Sequence, residues 1–437
     1  MKKTFCFVLF ALLFIQSCKQ ADPDFEMKLS KADFLHQSMK NLTDIIVHDI
    51  FSPPVASRIY AYPSIAAHEI LADTDDSISS LAGKISDLQS IPKAKDEVLP
   101  SIAAVHAFNI VGKQLIFSED KMEAFQEELL QQINEVDAPK NLVEQSMEYG
   151  QQVAEHILAW ADKDNYKQTR SFPKYTVSEN EDSWKPTPPA YMDGIEPHWK
   201  EIRPFVIESA DQFTPERPTE FDMSKGSDFY KEVEEVYTIG NEIKEEERLI
   251  ASFWDCNPYV MNLKGHAMFA TKKITPGGHW IGITRIACEK DKASIAKSAK
   301  AYAMCSIALM DAFISCWDEK YRSKLIRPET LINEHIDPNW APVLQTPPFP
   351  EYTSGHSVIS TASAIMLSSI FGENFSYIDD VEVEYGLPTR SFGSFMEASE
   401  EAAISRLYGG IHYRPAIDNG VKQGKKLGAY LVSKLNS

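Results

Sequence analysis

Hydrophobic residues recur at helical spacing along most of the chain. Between 32 and 50, Phe34, Met39, Leu42, Ile45 and Ile46 fall on one face of a helix. Two consecutive prolines end this helix, and the next is predicted over 55–71. The same pattern predicts helices over 101–116, 120–134, 140–162, 228–238, 244–255, 292–317, 357–371, 396–406 and 415–435. Strand-like alternation is rare, so the predicted fold class is all-α.

Prolines divide this helical pattern. Residues 164–226 contain eight prolines and few helical runs, which predicts a long irregular connection on the surface. It would join an N-terminal helical half, 31–163, to a C-terminal half, 227–437. A second proline-rich stretch, 327–352, predicts a rigid loop suited to an active-site wall. Pro276, Gly277 and Gly278 predict a further break between helices.

The first 30 residues have the pattern of an export signal. A basic Met1-Lys2-Lys3 precedes an apolar run over 4–15 that is too short to span a membrane. It ends in Ser17-Cys18, which resembles a bacterial lipobox, although Gln16 is untypical there. We therefore expect a signal peptide over 1–18, lipidation of Cys18, a polar tether over 19–30 and an extracytoplasmic, lipid-anchored protein. A plain secretory signal with a chance cysteine is the alternative.

Four cysteines remain beyond that signal: Cys256, Cys288, Cys305 and Cys316. Cys305 and Cys316 lie on one predicted helix about 16 Å apart, which is too far for a disulfide. The other pairings stay open. The chain contains no C-x-x-C motif, which argues against a zinc ribbon or a thioredoxin-like site.

Composition and charge restrict the partners. The chain has 437 residues, of which 43% are hydrophobic and 24% charged, as in ordinary globular proteins. A net charge of −19 argues against nucleic acid and against attraction to an anionic membrane surface. A buried group of cations can still bind an anion, because it sets the local potential.

Three short segments near the C-terminus carry such cations together with histidines. They are Lys320 with Arg327-Pro328, Ser354-Gly355-His356, and Ser405-Arg406 with His412. Ser354 precedes an apolar helix, and the free N–H groups of a helix N-terminus bind anions. An arginine fork donates to two oxygens of an oxyanion at once. Taken singly, each segment has an ordinary explanation: the serine could be a helix cap, and the cations could lie on the surface.

In combination the segments read K-x6-R-P, S-G-H and S-R-x5-H. This order and spacing resemble the superfamily of type 2 phosphatidic acid phosphatases and vanadium-dependent haloperoxidases, over about residues 317–418. The resemblance implies a helical-bundle fold of that type with an oxyanion site between helices. It implies that the oxyanion is bound by Lys320, Arg327, Ser354, Gly355 and Arg406.

The resemblance also assigns roles to the two histidines. His412 would ligate vanadium if vanadate is bound, or form a phosphohistidine if the group is phosphate. His356 would be the general acid–base, because histidine titrates near neutral pH. His279 is a further candidate to face the site.

Two positions depart from the family pattern. Thr353 stands where the family has a proline before S-G-H, and Ala416 stands where it has an aspartate that orients the second histidine. Asp418 is the nearest carboxylate and a candidate substitute. Asp255 is a candidate partner for Arg406.

Neighbours of the motif favour the haloperoxidase branch. The chain is longer than soluble phosphatases of the superfamily, and Trp317 and Phe349 fall at halide-pocket positions of that branch, although both also suit core aromatics. The resemblance then implies oxidation of halide by hydrogen peroxide at a bound vanadate, with vanadium as a Lewis acid. Lys320 would polarise the peroxide oxygen and His356 would transfer protons.

Two alternatives stay open. One is an acid phosphatase that hydrolyses phosphomonoesters without a cofactor. The other is a surface binding protein with a relict site. A lipid phosphatase is disfavoured, because no run of about 20 apolar residues follows the signal.

Overall fold

The computed structural model of the protein describes residues 21–264, 267–270 and 272–436. The predicted signal peptide and Cys18 lie outside these residues. The helices are α1 Phe25–Leu29, α2 Asp33–His48, α3 Pro53–Ala72, α4 Pro100–Lys113, α5 Glu119–Glu135, α6 Lys140–Ala161, α7 Tyr166–Thr169, α8 Asp228–Glu242, α9 Glu245–Phe253, α10 Pro276–Asp291, α11 Ile295–Ser323, α12 Pro328–His335, α13 Gly355–Phe371, α14 Phe395–Tyr408 and α15 Arg414–Leu435. Two antiparallel hairpins complete the fold, β1 Met261–Lys264 with β2 Ala267–Ala270, and β3 Tyr377–Asp379 with β4 Arg390–Phe392.

The all-α prediction is confirmed, and each helix predicted from periodicity is present; most ends shift by one to three residues, whereas the helix predicted to end at 317 continues to Ser323. Four helices were not predicted: the short α1 and α7, and also α10 and α12, where prolines were interpreted as breaks. α10 begins at Pro276, where the Thr275 hydroxyl accepts a hydrogen bond from Gly278 N at 3.1 Å. α12 begins at Pro328, inside the stretch predicted as a loop. Proline fits the first turn of a helix, whose N–H groups have no helical partner.

The described part of the predicted tether packs against the fold. Residues 25–29 form α1, and the Leu29 side chain is fully buried. The Asp22 amide donates to the Asp137 carbonyl at 3.1 Å. The predicted polar tether over 19–30 therefore contains a short helix that is attached to the fold through Leu29 and Asp22.

The connection over 164–226 is irregular, as predicted, but it is not confined to the surface. Trp184, Trp199 and Phe205 are fully buried. The carboxylate of Asp311 on α11 accepts hydrogen bonds from the backbone N–H groups of residues 205, 206 and 207 at 2.7–3.0 Å. These bonds satisfy buried backbone donors that have no helix or strand to pair with.

The long helix α11 is the central element of the fold. It packs against α3 on the N-terminal side and against α13 on the C-terminal side, so both halves share one hydrophobic core. Among the described residues it is the one helix long and apolar enough to cross a membrane, and 94% of its most apolar window is buried inside the protein. This burial is typical of a core helix.

Close packing of α13 against α15 fixes the position of the S-G-H segment. Three glycines spaced four residues apart on α15 face α13, and a Cβ at Gly424 would lie 2.5 Å from the carbonyl oxygen of Val358. Only glycine allows the two backbones to approach so closely. The four cysteines beyond the signal are buried and free, so no disulfide constrains this arrangement.

We expect Asp311→Ala to destabilise the protein by about 3 kcal/mol, because two buried and one partly buried N–H group lose their acceptor. The midpoint of thermal unfolding should fall by several degrees. Asp291→Ala, which removes a surface ion pair with Lys297, is the matched control and should change the stability by less than about 0.5 kcal/mol. Equal midpoints for the two variants would contradict the anchoring role of Asp311.

Candidate active site

The fold brings the three predicted segments together at one buried site. Lys320 lies in the last turn of α11, Arg327 precedes α12, and Ser354 precedes α13. Arg406 lies near the end of α14, and His412 lies in the loop before α15. The site borders a cavity of about 40 Å³ whose lining includes Trp317, Phe349, Gly355, His356, Arg406 and His412.

Lys320 is fully buried and fully engaged with the backbone. Its Nζ donates to the carbonyl oxygens of Pro350, Glu351 and Thr353 at 3.0, 3.0 and 2.5 Å. Burial lowers the pKa of Lys320 to about 7. The three carbonyls act against this lowering, because they hydrogen-bond to the ammonium form. Lys320 therefore holds the segment before α13 in place and brings a positive charge to the site.

Arg327 is also fully buried, and it has one donor to spare. Its Nε donates to the Phe349 carbonyl at 3.0 Å, and its Nη1 donates to the Ile411 carbonyl at 2.7 Å. The same Nη1 lies 3.1 Å from Nε2 of His412. Its Nη2 is buried without a hydrogen-bond partner in the part of the chain that the structure describes. Such a donor has the position and charge to bind an anion.

Ser354 and Gly355 form the N-terminus of α13. The Ser354 hydroxyl caps the helix by accepting from Ser357 N at 3.3 Å, which leaves its own proton available. The first N–H groups of a helix have no partner within the helix and carry its positive dipole end. Both predicted residues therefore lie where they can donate to an oxyanion.

Backbone carbonyls hold Arg406 in the wall of the cavity. Its Nη2 donates to the Trp254 carbonyl at 2.9 Å, and its Nε donates to the Ser405 hydroxyl at 3.0 Å. Asp255, the candidate partner, instead forms an ion pair with Lys273 at 2.5 Å. It acts on Arg406 only through its charge, which opposes the lowering of the arginine pKa by burial.

A buried glutamate orients His412. Oε1 of Glu351 accepts from His412 Nδ1 at 2.7 Å and from the Tyr413 amide at 3.0 Å. Because Arg327 can only donate, His412 Nε2 must accept from it and carries no proton. The network thus assigns the proton of the imidazole to Nδ1.

The pKa shifts agree with a neutral His412. Burial, followed by the charges of Arg327 and Lys320, lowers the pKa of His412 well below its ordinary value. Burial raises the pKa of Glu351 to about 8, although the same two cations oppose this. Oε2 of Glu351 is buried without a partner among the described residues and is the atom free to take up a proton.

Glu351 is the functional residue that the sequence interpretation missed. Asp418, the expected substitute for the family aspartate, is exposed on α15. Ala416 is buried, and its carbonyl accepts from the Ser354 amide at 3.0 Å. A signal was present in the sequence, because Glu351 is a lone acid within an apolar, proline-rich approach to S-G-H.

His356 borders the cavity with a free ring nitrogen. Its Nε2 is buried and has no partner within the described chain. Burial, then the charge of Arg406, lowers the pKa of His356 well below 6.5. The prediction from the sequence assumed the ordinary pKa of histidine. In this environment the imidazole of His356 stays neutral and can accept a proton.

Trp317 and Phe349 form an aromatic wall of the cavity. Their ring centroids lie 5.0 Å apart, and the Phe349 centroid lies 5.0 Å from Lys320 Nζ. Trp317 is 2% exposed, so it also serves as a core residue, as the alternative interpretation held. His279, by contrast, does not line the cavity; it pairs with Asp379 and Glu382 in a separate cluster.

Comparisons with known proteins agree with this architecture. A family model described as the VCPO second helical-bundle domain matches residues 333–437. The chain is similar to a solved structure described as the first bacterial vanadium-dependent iodoperoxidase, with 54% identity, a TM-score of 0.88, and coverage of 93% of this chain and 97% of that one. No curated protein matches the chain.

A more distant structure shares the fold. The holo form of a bacterial vanadium-dependent chloroperoxidase is 15% identical, with a TM-score of 0.68 and coverage of 89% of this chain and 93% of that one. Identity above half over nearly the whole of both chains, as with the iodoperoxidase, shows the family. The chain therefore belongs to the vanadium-dependent haloperoxidases and is a haloperoxidase-like enzyme.

Proposed function

We propose that this protein binds vanadate at the site around His412 and uses it with hydrogen peroxide to oxidise halide, with iodide as the preferred ion. The observation that carries the proposal is the hydrogen bonding of His412, whose Nδ1 donates to Glu351 and whose Nε2 lone pair is directed at the buried Arg327. The preference for iodide is supported by the similar protein described as an iodoperoxidase.

The residues present fit a tetrahedral oxyanion. Arg327 Nη2 is buried without a hydrogen-bond partner among the described residues, and the N-terminus of α13 supplies further donors. Lys320, Arg327, Ser354, Gly355 and Arg406 would bind the anion, and His412 Nε2 would be the protein ligand to vanadium. Its present hydrogen bond from Arg327 would be exchanged for that bond.

Bound vanadate would act as a Lewis acid toward peroxide. The neutral His356 would accept the proton that peroxide loses, since its pKa is held low before the anion binds. We propose that Lys320 acts mainly through its charge, because its three donors are all engaged with carbonyls. Trp317 and Phe349 would line the approach of a large, weakly hydrated halide.

We expect tag-free protein incubated with orthovanadate to oxidise iodide with hydrogen peroxide, measured as triiodide formation. Bromide oxidation should be slower. His412→Ala should abolish both activities, because vanadium loses its only protein ligand. A chromogenic phosphate ester tested in parallel separates the acid phosphatase alternative. Hydrolysis of the ester without oxidation of either halide would contradict the proposal.

Glu351 offers a test of how His412 is positioned. We expect Glu351→Leu to weaken vanadate binding by at least about tenfold, because His412 Nδ1 loses its acceptor. Glu351→Gln keeps an acceptor oxygen and should bind vanadate within a few-fold of wild type at neutral pH. The dissociation constant comes from vanadate titration of activity, and kcat is compared at saturating vanadate.

The pH dependence adds an independent readout. The Glu351 pKa is raised to about 8, so the carboxyl group loses its proton as the pH rises through 8 and adds a negative charge beside the anion site. Relative to Glu351→Gln, wild type should therefore lose vanadate affinity above pH 8.

The matched control for Glu351→Leu is Glu329→Leu, which removes another buried glutamate, one that binds Thr346. Unchanged vanadate affinity in Glu351→Leu would refute the positioning role.

We also propose that the protein is lipid-anchored at Cys18 outside the cytoplasm, on the strength of the lipobox-like Ser17-Cys18 after an apolar run. In a bacterial host, wild type should incorporate labelled palmitate and sediment with membranes. Cys18→Ser should lose the label. Either of two results would contradict the proposal: labelling of Cys18→Ser would place the lipid on another residue, and no labelling of wild type would leave only a secretory signal.

A further inference from the structure

A second cluster of ligand-type side chains lies beside the oxyanion site. Cys256 follows α9, His279 lies on α10, and Glu382 follows β3, and all three are buried. Cys256 also borders the oxyanion cavity, whereas His279 is completely inaccessible. The cluster thus joins three segments that are far apart in sequence. The proposed halide chemistry uses none of its side chains.

The donor atoms have the spacing of a tetrahedral metal site. His279 Nδ1 lies 3.2 Å from Glu382 Oε1. Cys256 Sγ lies 3.6 Å from His279 Nδ1 and 3.8 Å from Glu382 Oε1. Ordinary bond lengths from tetrahedral zinc to sulfur, nitrogen and oxygen place such ligand atoms about 3.4–3.6 Å apart. The three atoms therefore form a triangle close to one face of a zinc tetrahedron.

A second carboxylate fixes the histidine ring. Asp379 Oδ2 lies 2.9 Å from His279 Nε2, the ring nitrogen on the side away from the thiol. The ring of Trp254 stacks on the imidazole with centroids 4.5 Å apart and planes inclined by 20°. A carboxylate on the second nitrogen of a histidine is the usual outer partner of a metal ligand. It leaves Nδ1 directed at Cys256 and Glu382.

The competing explanation is a proton rather than a metal. Burial lowers the pKa of His279, but Asp379, Cys256 and Glu382 together outweigh burial and raise it well above its ordinary value. An imidazolium between two carboxylates would account for these three residues. In that case the thiol only forms hydrogen bonds, at 3.6 Å to His279 and 3.8 Å to Glu382, whereas a metal ion would take it as a ligand.

We propose that Cys256, His279 and Glu382 bind a divalent cation of the zinc class at a site distinct from the oxyanion site, with one coordination position left for water. One sulfur, one nitrogen and one oxygen donor suit zinc and disfavour calcium and magnesium, which take oxygen ligands. The cation would fasten the segment of Trp254, whose carbonyl holds Arg406. Metal binding would thereby stiffen one wall of the active site.

The test is metal binding by tag-free protein in buffers without vanadate. Equilibrium dialysis against zinc chloride, followed by elemental analysis, should give one zinc per chain. Cobalt chloride should produce a sulfur-to-cobalt charge-transfer band and the visible bands of a tetrahedral ion. Zinc should also raise the midpoint of thermal unfolding of wild type, because it binds only the folded site.

Variants decide which side chains are responsible. Cys256→Ala and Glu382→Gln should bind zinc at least about tenfold more weakly, and Cys256→Ala should lose the charge-transfer band. Cys288→Ala removes another buried free cysteine and should behave as wild type. Wild type without stoichiometric zinc and without the cobalt band overturns the proposal, even if the variants fail to fold. So does equal binding by wild type and Cys256→Ala, and in either case His279 would be the proton-binding group.

Discussion

The hydrogen bond from His412 to Glu351 is the interaction on which the active site depends. The charges of three buried cations, Arg327, Lys320 and Arg406, act on His412; Arg327 donates to its Nε2, and Glu351 provides the acceptor for its Nδ1. Glu351 assigns the proton to Nδ1 and leaves a lone pair on Nε2. The carbonyl groups beside Glu351 also hold the ammonium group of Lys320, so one short segment organises both the histidine and a cation.

The helices and backbone carbonyls around this segment explain how so much charge can be buried. α11 carries Lys320 at its end and packs through the middle of the core, while the glycines of α15 bring α13 close enough for Ser354 to contact the loop of His412. Backbone carbonyls, rather than acidic side chains, hold Lys320 and Arg406. The cations therefore keep most of their charge for a ligand, since carbonyl partners do not neutralise them.

Periodicity and motif spacing were sufficient to predict the helices and most residues of the site, because both are local properties of the sequence. α10 and α12 were missed because a proline that begins a helix and one that ends it look alike without the fold. Glu351 was missed because its partner lies 61 residues away, and only the fold brings them together. The contact between Cys256 and His279 could not be predicted for the same reason, because it depends on how α10 packs in the fold.

Neutron diffraction from a crystal at neutral pH would test the central claim most directly. The claim is that Glu351 fixes the tautomer of His412 and keeps Nε2 unprotonated, so that Nε2 can coordinate vanadium. The nuclear density map should show deuterium on His412 Nδ1, directed at Glu351 Oε1, and none on Nε2. Deuterium on Nε2, or on both ring nitrogens, would contradict the account.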